Sequence, residues 1–277
     1  MSVVAAAKPA ASRRMRFREI DGFARGPACY MELGAAKASP LVFLHGFGGD
    51  LLTWQYCLGA FTGRFRVIAL DLPGHGRSSG DVGPGDLAFM VGWVVEALAA
   101  LDIPAAHFVG HSMGAKIAIG LALARPELAL SLNLVSPAGL GGFFDKRLLH
   151  DFLDCSTDDA VTYLAGRLLG PASAGLVDGL ARSLKLAHDP ARAAGLEKLL
   201  GNASAIEEAF SETGTVPWAR IGAPIQVVWG RADSILPLPE VHRLPPGAPV
   251  TVLDGIGHMP QLECPTQLIS LIDRFLP

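Results

Sequence analysis

One stretch constrains this 277-residue chain more than any other: Ala106-His107-Phe108-Val109-Gly110-His111-Ser112-Met113-Gly114. Phe108 and Val109 read as the end of a short buried strand, and Ala115 to Ala124 as a helix. Between them Gly110 to Gly114 fits the pattern G-x-S-x-G, in the strand–turn–helix setting that gives the pattern meaning. So sharp a turn strains the serine backbone and drives together the positions two residues either side. Glycine at both, Gly110 and Gly114, removes the side chains that would collide. The serine hydroxyl is then held beyond a sheet edge over a helix N-terminus, whose dipole favours developing negative charge. Taken alone, the five residues fit a small-residue packing turn equally well, so the rest of the chain has to decide.

Along the chain, residues 1–14 are Ala-rich, with Pro9 and Arg13-Arg14, and read as a flexible tail. Arg16 to Ile20 and Ala28 to Leu33 read as two antiparallel edge strands. Leu41 to Leu44 and Arg66 to Leu70 are apolar runs suited to fully buried strands. The first ends in the glycine-dense His45-Gly46-Phe47-Gly48-Gly49-Asp50, with Trp54 on a helix beyond. The second ends in Asp71-Leu72-Pro73-Gly74-His75-Gly76-Arg77-Ser78, a tight turn in which His75 is expected to face solvent. Leu87 to Leu101 is helical, and Leu132 to Val135 is a strand closing at Ser136-Pro137-Ala138-Gly139. This alternation of strands and helices predicts a parallel sheet with helices on both faces.

From Leu140 to Pro217 the rhythm becomes helical only. Segments are expected at Asp145–Leu153, Thr157–Leu169 and Ala174–Leu186. Another is expected to open at Asp189-Pro190, with Asp189 as its cap. Strands resume at Ile225–Trp229 and Val250–Leu253, and a helix over Thr266–Phe275 closes the chain. The expected division is a core of residues 15–139 and 218–277 with a helical cap, 140–217, inserted after the sixth strand.

In open parallel sheets, ligands sit at the carboxyl ends of strands. Four loops leaving such ends carry Gly46–Gly49, Ser112, Asp233 and His258, in the chain order Ser, Asp, His. Serine is a poor nucleophile without a base. His258 can take its proton, an ordinary imidazole being largely neutral at pH 7. Asp233 would fix the imidazole tautomer and stabilise its charged form. The backbone N–H groups of Phe47 and Met113 are the expected oxyanion donors. Asp254 lies too near its own strand end to serve as the acid. His45 is expected to be structural, and His111 to pack or hydrogen-bond locally.

These residues together resemble the α/β-hydrolase fold superfamily. The resemblance rests on Leu44 to Gly49, Asp71 to Ser78, Gly110 to Gly114, Trp229 to Asp233 and Gly257 to Pro260. It implies a mostly parallel central sheet flanked by helices, roofed by the helical cap, and a catalytic Ser112, Asp233 and His258. Within the superfamily, His45 to Asp50 and Ser136 to Leu140 look closest to the hydrolase-like domain of acetoin dehydrogenase acyltransferase subunits. Those subunits carry a lipoyl domain ahead of it; here an Ala/Pro-containing lead stands in that place, so lipoyl-linked transfer is not the expected chemistry. Ala115-Lys116 stands where many members have a second glycine, a change expected to alter packing more than chemistry. Trp54, Phe143, Phe144 and Tyr163 are candidates either for the substrate pocket or for the core of the cap.

The expected activity is hydrolysis of a small or medium carboxylic ester through an acyl-enzyme on Ser112. Acyl transfer, carbon–carbon bond hydrolysis and a slow-turnover receptor share the same fold. Haloalkane or epoxide chemistry needs a carboxylate where Ser112 stands. A net charge of -3 without a basic patch argues against nucleic acid as a partner, leaving a small-molecule substrate. No apolar run reaches the roughly 18 residues of a membrane span, and residues 1–16 do not fit a signal peptide. Cys29, Cys57, Cys155 and Cys264 are widely spaced. They are expected to be free thiols in a reducing, cytoplasmic setting, with no metal and no cofactor.

Overall fold

The apolar runs bounded by Gly, Pro and Asp become strands, and their order fixes where a site can form. The computed structural model describes residues 16–140, 153, 157–187, 189, 192–202 and 215–277. Eight strands are found there: β1 (Phe17–Glu19), β2 (Cys29–Leu33), β3 (Ser39–Leu44), β4 (Phe65–Leu70), β5 (Ala106–His111), β6 (Ala129–Val135), β7 (Ile225–Gly230) and β8 (Val250–Leu253). They form one sheet in the order β1-β2-β4-β3-β5-β6-β7-β8. The β1–β2 and β2–β4 pairs are antiparallel and every other pair is parallel. The interior strands β3, β4, β5 and β6 are buried on both faces over most of their length, as the apolar runs of β3 and β4 suggest; in β5 and β6 the buried His107, Ser131 and Asn133 interrupt the run.

Helices cover both faces. On one lie α1 (Leu87–Ala100) and α2 (Met113–Ala124), packed with Val42, Ile68, Phe108 and Leu132. Asp86 caps α1 by accepting from the Phe89 N–H at 2.8 Å. The other face carries the 3₁₀ turns Leu51–Trp54 and Leu58–Phe61 and the C-terminal helix, packed with Leu41, Phe43 and Val67.

Between β6 and β7 the described residues contain only helix and turn: α3 (Asp158–Leu168), α4 (Val177–Ala187) and α5 (Ala193–Gly201). Thr157 caps α3, as a Thr-Asp-Asp start suggests, accepting from Ala160 N–H at 3.2 Å. Helix α5 is described from Ala193, with the Asp189 carbonyl accepting the Arg192 N–H at 2.9 Å just ahead of it; Pro190, where a helix was expected to open, lies outside the described residues. The helix expected at 145–153 falls almost wholly outside the described residues, as do Phe143, Phe144 and Cys155. The chain ends in α6 (Pro260–Glu263) and α7 (Pro265–Phe275). Among the described residues no helix is long and apolar enough to cross a membrane.

Candidate active site

The turn after β5 has the conformation its glycines imply. Ser112 sits at φ 50°, ψ -115°, a strained backbone for a non-glycine residue that costs on the order of 1–3 kcal/mol. A Cβ on Gly114 would lie 2.3 Å from the Leu44 carbonyl oxygen, and one on Gly110 2.5 Å from the Ala115 Cα. Neither position therefore takes a side chain. The strain is held in place by backbone bonds. Ser112 N–H donates to Val135 at 3.0 Å, and its carbonyl accepts from Lys116 and Ala138 at 3.2 Å each. Met113 is the first residue of α2, so its N–H is among the donors that a helix start leaves without an intrahelical partner.

At the ends of β7 and β8 the chain delivers a carboxylate and an imidazole. His258 Nδ1–H donates to Asp233 Oδ2 at 2.8 Å, with both side chains buried. The other carboxylate oxygen accepts the N–H groups of Ile235 at 2.9 Å and Leu236 at 2.8 Å. Three donors thus hold the acid, and the acid fixes the ring of His258. This leaves Nε2 as the acceptor nitrogen of a neutral ring. Ser112 and His258 line one cavity of about 910 Å³. No hydrogen bond joins them directly among the described residues, and such contacts commonly tighten only once substrate binds. Asp254, by contrast, is ion-paired with Arg231 in solvent.

The glycine-dense loop after β3 is braced from below. His45 accepts the Leu72 N–H at Nε2 (3.0 Å) and donates from Nδ1 to the Gly46 carbonyl at 2.8 Å. Both bonds need a neutral ring, and full burial lowers the His45 pKa to about 4. Asp71 is also fully buried. It accepts from Leu51 N–H and Arg77 N–H, each at 2.8 Å, tying the loop after β4 to the turn after β3. Burial raises its pKa, against those bonds. The sequence reading placed Asp71 at the head of this turn but gave its side chain no role, although a carboxylate closing a buried strand before Pro-Gly was a signal. Phe47 and Met113 both reach the cavity wall.

His111, just before the serine, ties the elbow to the imidazole loop. Its Nε2–H donates to the His258 backbone carbonyl at 2.7 Å, and the two rings lie 4.8 Å apart. Burial first, then His258, hold it neutral. A Cβ on Gly46 would lie 2.7 Å from His111 Nδ1, so glycine there lets the ring approach.

Three expectations are corrected. Trp54 is wholly buried beneath the sheet, edge-on to Phe43 at 5.2 Å, because the 3₁₀ turn points it inward; Leu52, Thr53 and Tyr56 reach the cavity instead. Tyr163 lies on the outer face of α3, 55% exposed, with its hydroxyl accepting from Arg167 at 3.0 Å. His75 is buried rather than solvent-facing. Its Nδ1–H donates to the Pro73 carbonyl at 2.9 Å, and desolvation lowers its pKa to about 3. The cavity wall is mainly aliphatic, with Leu87, Met90 and Ile117 from the sheet side and Leu176, Leu180 and Leu184 from the insertion. Lys116 also reaches it. Cys29, Cys57 and Cys264 are free, and no cluster of metal-ligating side chains is found among the described residues.

Residues 41–271 match the model of the alpha/beta hydrolase family. The chain is 34% identical to the dihydrolipoyllysine-residue acetyltransferase component of the acetoin cleaving system of Cupriavidus necator, over 96% of this chain and 70% of that protein. It is 31% identical to the pimeloyl-[acyl-carrier protein] methyl ester esterase of Aeromonas hydrophila, over 85% of this chain and 94% of that one. Its fold matches that of a 2-hydroxy-6-oxo-6-phenylhexa-2,4-dienoate hydrolase from Rhodococcus with a TM-score of 0.78 at 22% identity, over 94% and 99% of the two chains. With the family match spanning most of the sheet and both flanking loops, the chain belongs to the alpha/beta hydrolase family.

Proposed function

We propose that this protein is a serine hydrolase that cleaves carboxylic esters through an acyl-enzyme on Ser112. The observation that carries this reading is the buried His258–Asp233 bond of 2.8 Å beside a strained serine on the wall of one apolar cavity. In the proposed cycle His258 Nε2 takes the Ser112 proton as Oγ attacks the ester carbonyl. The oxyanion of the tetrahedral intermediate is held by the N–H groups of Phe47 and Met113. His258 returns the proton to the leaving alcohol, and water then repeats the sequence to release the acid. Residues 140–217 act as a cap over the strand ends. The aliphatic wall suits uncharged acyl and alcohol groups of small or medium size.

Acyl transfer to a thiol is the second reading, favoured by the likeness to the acetoin-system acetyltransferase component. The same acyl-enzyme serves both, and the acceptor decides. The test is a series of p-nitrophenyl esters of graded chain length, with and without a small thiol, on the parent and on Ser112→Ala. Turnover in the parent, a loss of about 10⁶-fold in the variant and no acceleration by thiol support hydrolysis. Thiol-dependent turnover supports transfer. Ester turnover that survives in Ser112→Ala removes both.

A further inference from the structure

A catalytic base needs a fixed backbone, since misplacing a reacting group by about 1 Å costs on the order of 100-fold. His258 is gripped on both sides. Its N–H donates to the Leu168 carbonyl at the end of α3 at 2.8 Å, and its carbonyl accepts from His111 at 2.7 Å. Around it the imidazole loop lies glycine against glycine on the chain leaving α3. A Cβ on Gly257 would stand 2.4 Å from the Gly170 nitrogen, and one on Gly170 2.3 Å from the Gly255 carbonyl oxygen.

A half-buried carboxylate closes this junction. Glu263 Oε2 accepts the Gly170 N–H at 2.7 Å, and both of its oxygens accept the Gly257 N–H at 3.0 Å. Oε1 also takes the Met259 N–H at 3.1 Å. Three backbone donors, one from the insertion and two flanking the imidazole residue, thus converge on one acid. An ionised acceptor makes each such bond stronger than a neutral one. Both oxygens face donors, so an amide in this place sets an NH₂ group against a backbone N–H whichever way it turns.

We propose that Glu263 is a positioning residue for His258, clamping the imidazole loop to the end of α3 so that the catalytic ring and this corner of the cap move as one body. The proposal rests on the reading of His258 as the catalytic base. It makes residues 168–170 the fixed corner of the cap, so that any opening for substrate occurs elsewhere along its edge.

The test uses Glu263→Gln, which keeps the shape and removes one acceptor, and Gly170→Ala, which keeps the carboxylate and wedges the junction from the cap side. Each is assayed with p-nitrophenyl butyrate across pH, with active sites counted by a fluorophosphonate label. For both, kcat per labelled serine is expected to fall roughly 10- to 100-fold with KM little changed. The acid limb of kcat/KM is expected to move to lower pH, because a displaced ring is held less well by Asp233 and its charged form loses support. Should Glu263→Gln not accumulate as folded protein, Gly170→Ala carries the test. Parent-like kcat per labelled serine with an unmoved acid limb, whatever the change in melting temperature, overturns the clamp. A parent that neither turns over nor takes the label defeats the hydrolase reading instead.

Discussion

Helices α2 and α3 are nearly the same length and differ in almost every other way. Helix α2 buries every residue from Gly114 to Ala122, because it lies against β3, β5 and β6 with α1 packed beside it. Helix α3 buries only Val161, Leu164, Ala165 and Leu168, one stripe at helical spacing. Its partners form a small separate cluster with Ala181, Ile235 and Met259. The first helix belongs to the scaffold that carries Ser112, whose backbone geometry the proposed chemistry requires. The second belongs to the insertion, the proposed roof, which needs only an apolar underside. The two meet at the cavity, where the scaffold carries Ser112 and His258 and the insertion supplies aliphatic wall.

The difference can be broken or sharpened by experiment. On the scaffold side, Asp233→Asn should lower kcat by about 10⁴-fold through loss of the correct imidazole tautomer. KM and the melting temperature should stay close to the parent's in steady-state kinetics and calorimetry. On the roof side, Leu164→Ala empties a fully buried position of the small cluster, at a cost of about 2–5 kcal/mol. Because that cluster stands apart from the main core, calorimetry should show an early transition for the insertion, with the main transition in place. A single transition shifted as a whole would mean that scaffold and roof melt together.

Acid should act first on the scaffold. His45 and His75, with pKa values lowered to about 4 and about 3, refuse protons that the unfolded chain accepts near pH 6.5. Their neutral burial is therefore fully tolerated above that pH, and stability is lost as pH falls toward 4. For His45 the loss is about 3 kcal/mol over that window. Asp50 and Asp71, whose pKa values burial raises, recover part of this as they protonate. Melting temperature should thus drop between pH 6.5 and 4.5, and His45→Asn should flatten the slope; an equally steep slope in that variant would remove His45 as a source. Least of all should Tyr163→Phe matter. It deletes an exposed hydroxyl on the outer face of the roof, so a shift beyond about 0.5 kcal/mol in denaturant titration would show that this face is not free.

The same contrast explains what the sequence made legible. Buried parallel strands announce themselves as short apolar runs, and the residues proposed to react were picked from the strand ends that carry Ser, Asp and His. Side-chain direction was harder. Trp54 sits on one 3₁₀ turn, where no periodicity tells inside from outside. Tyr163 could have been placed, since it falls off the 161-164-165-168 stripe. His75 looked exposed because Pro-Gly turns usually are, yet this turn is overlaid by the insertion: Arg192 donates to the Ser78 carbonyl at 3.1 Å, and a Cβ on Gly74 would lie 3.4 Å from Leu199. Glu263 went unnoticed because its partners are backbone groups, which no residue pattern displays.

The central claim concerns geometry at the tip of the elbow, so a crystal structure of the protein treated with a fluorophosphonate tests it most directly. The account predicts phosphorus bonded to Ser112 Oγ and a phosphonyl oxygen within hydrogen-bonding distance of both the Phe47 and Met113 N–H groups. The His258 ring should remain on Asp233. Phosphorus on any other residue, or an adduct on Ser112 whose oxygen points away from those two donors, would contradict it.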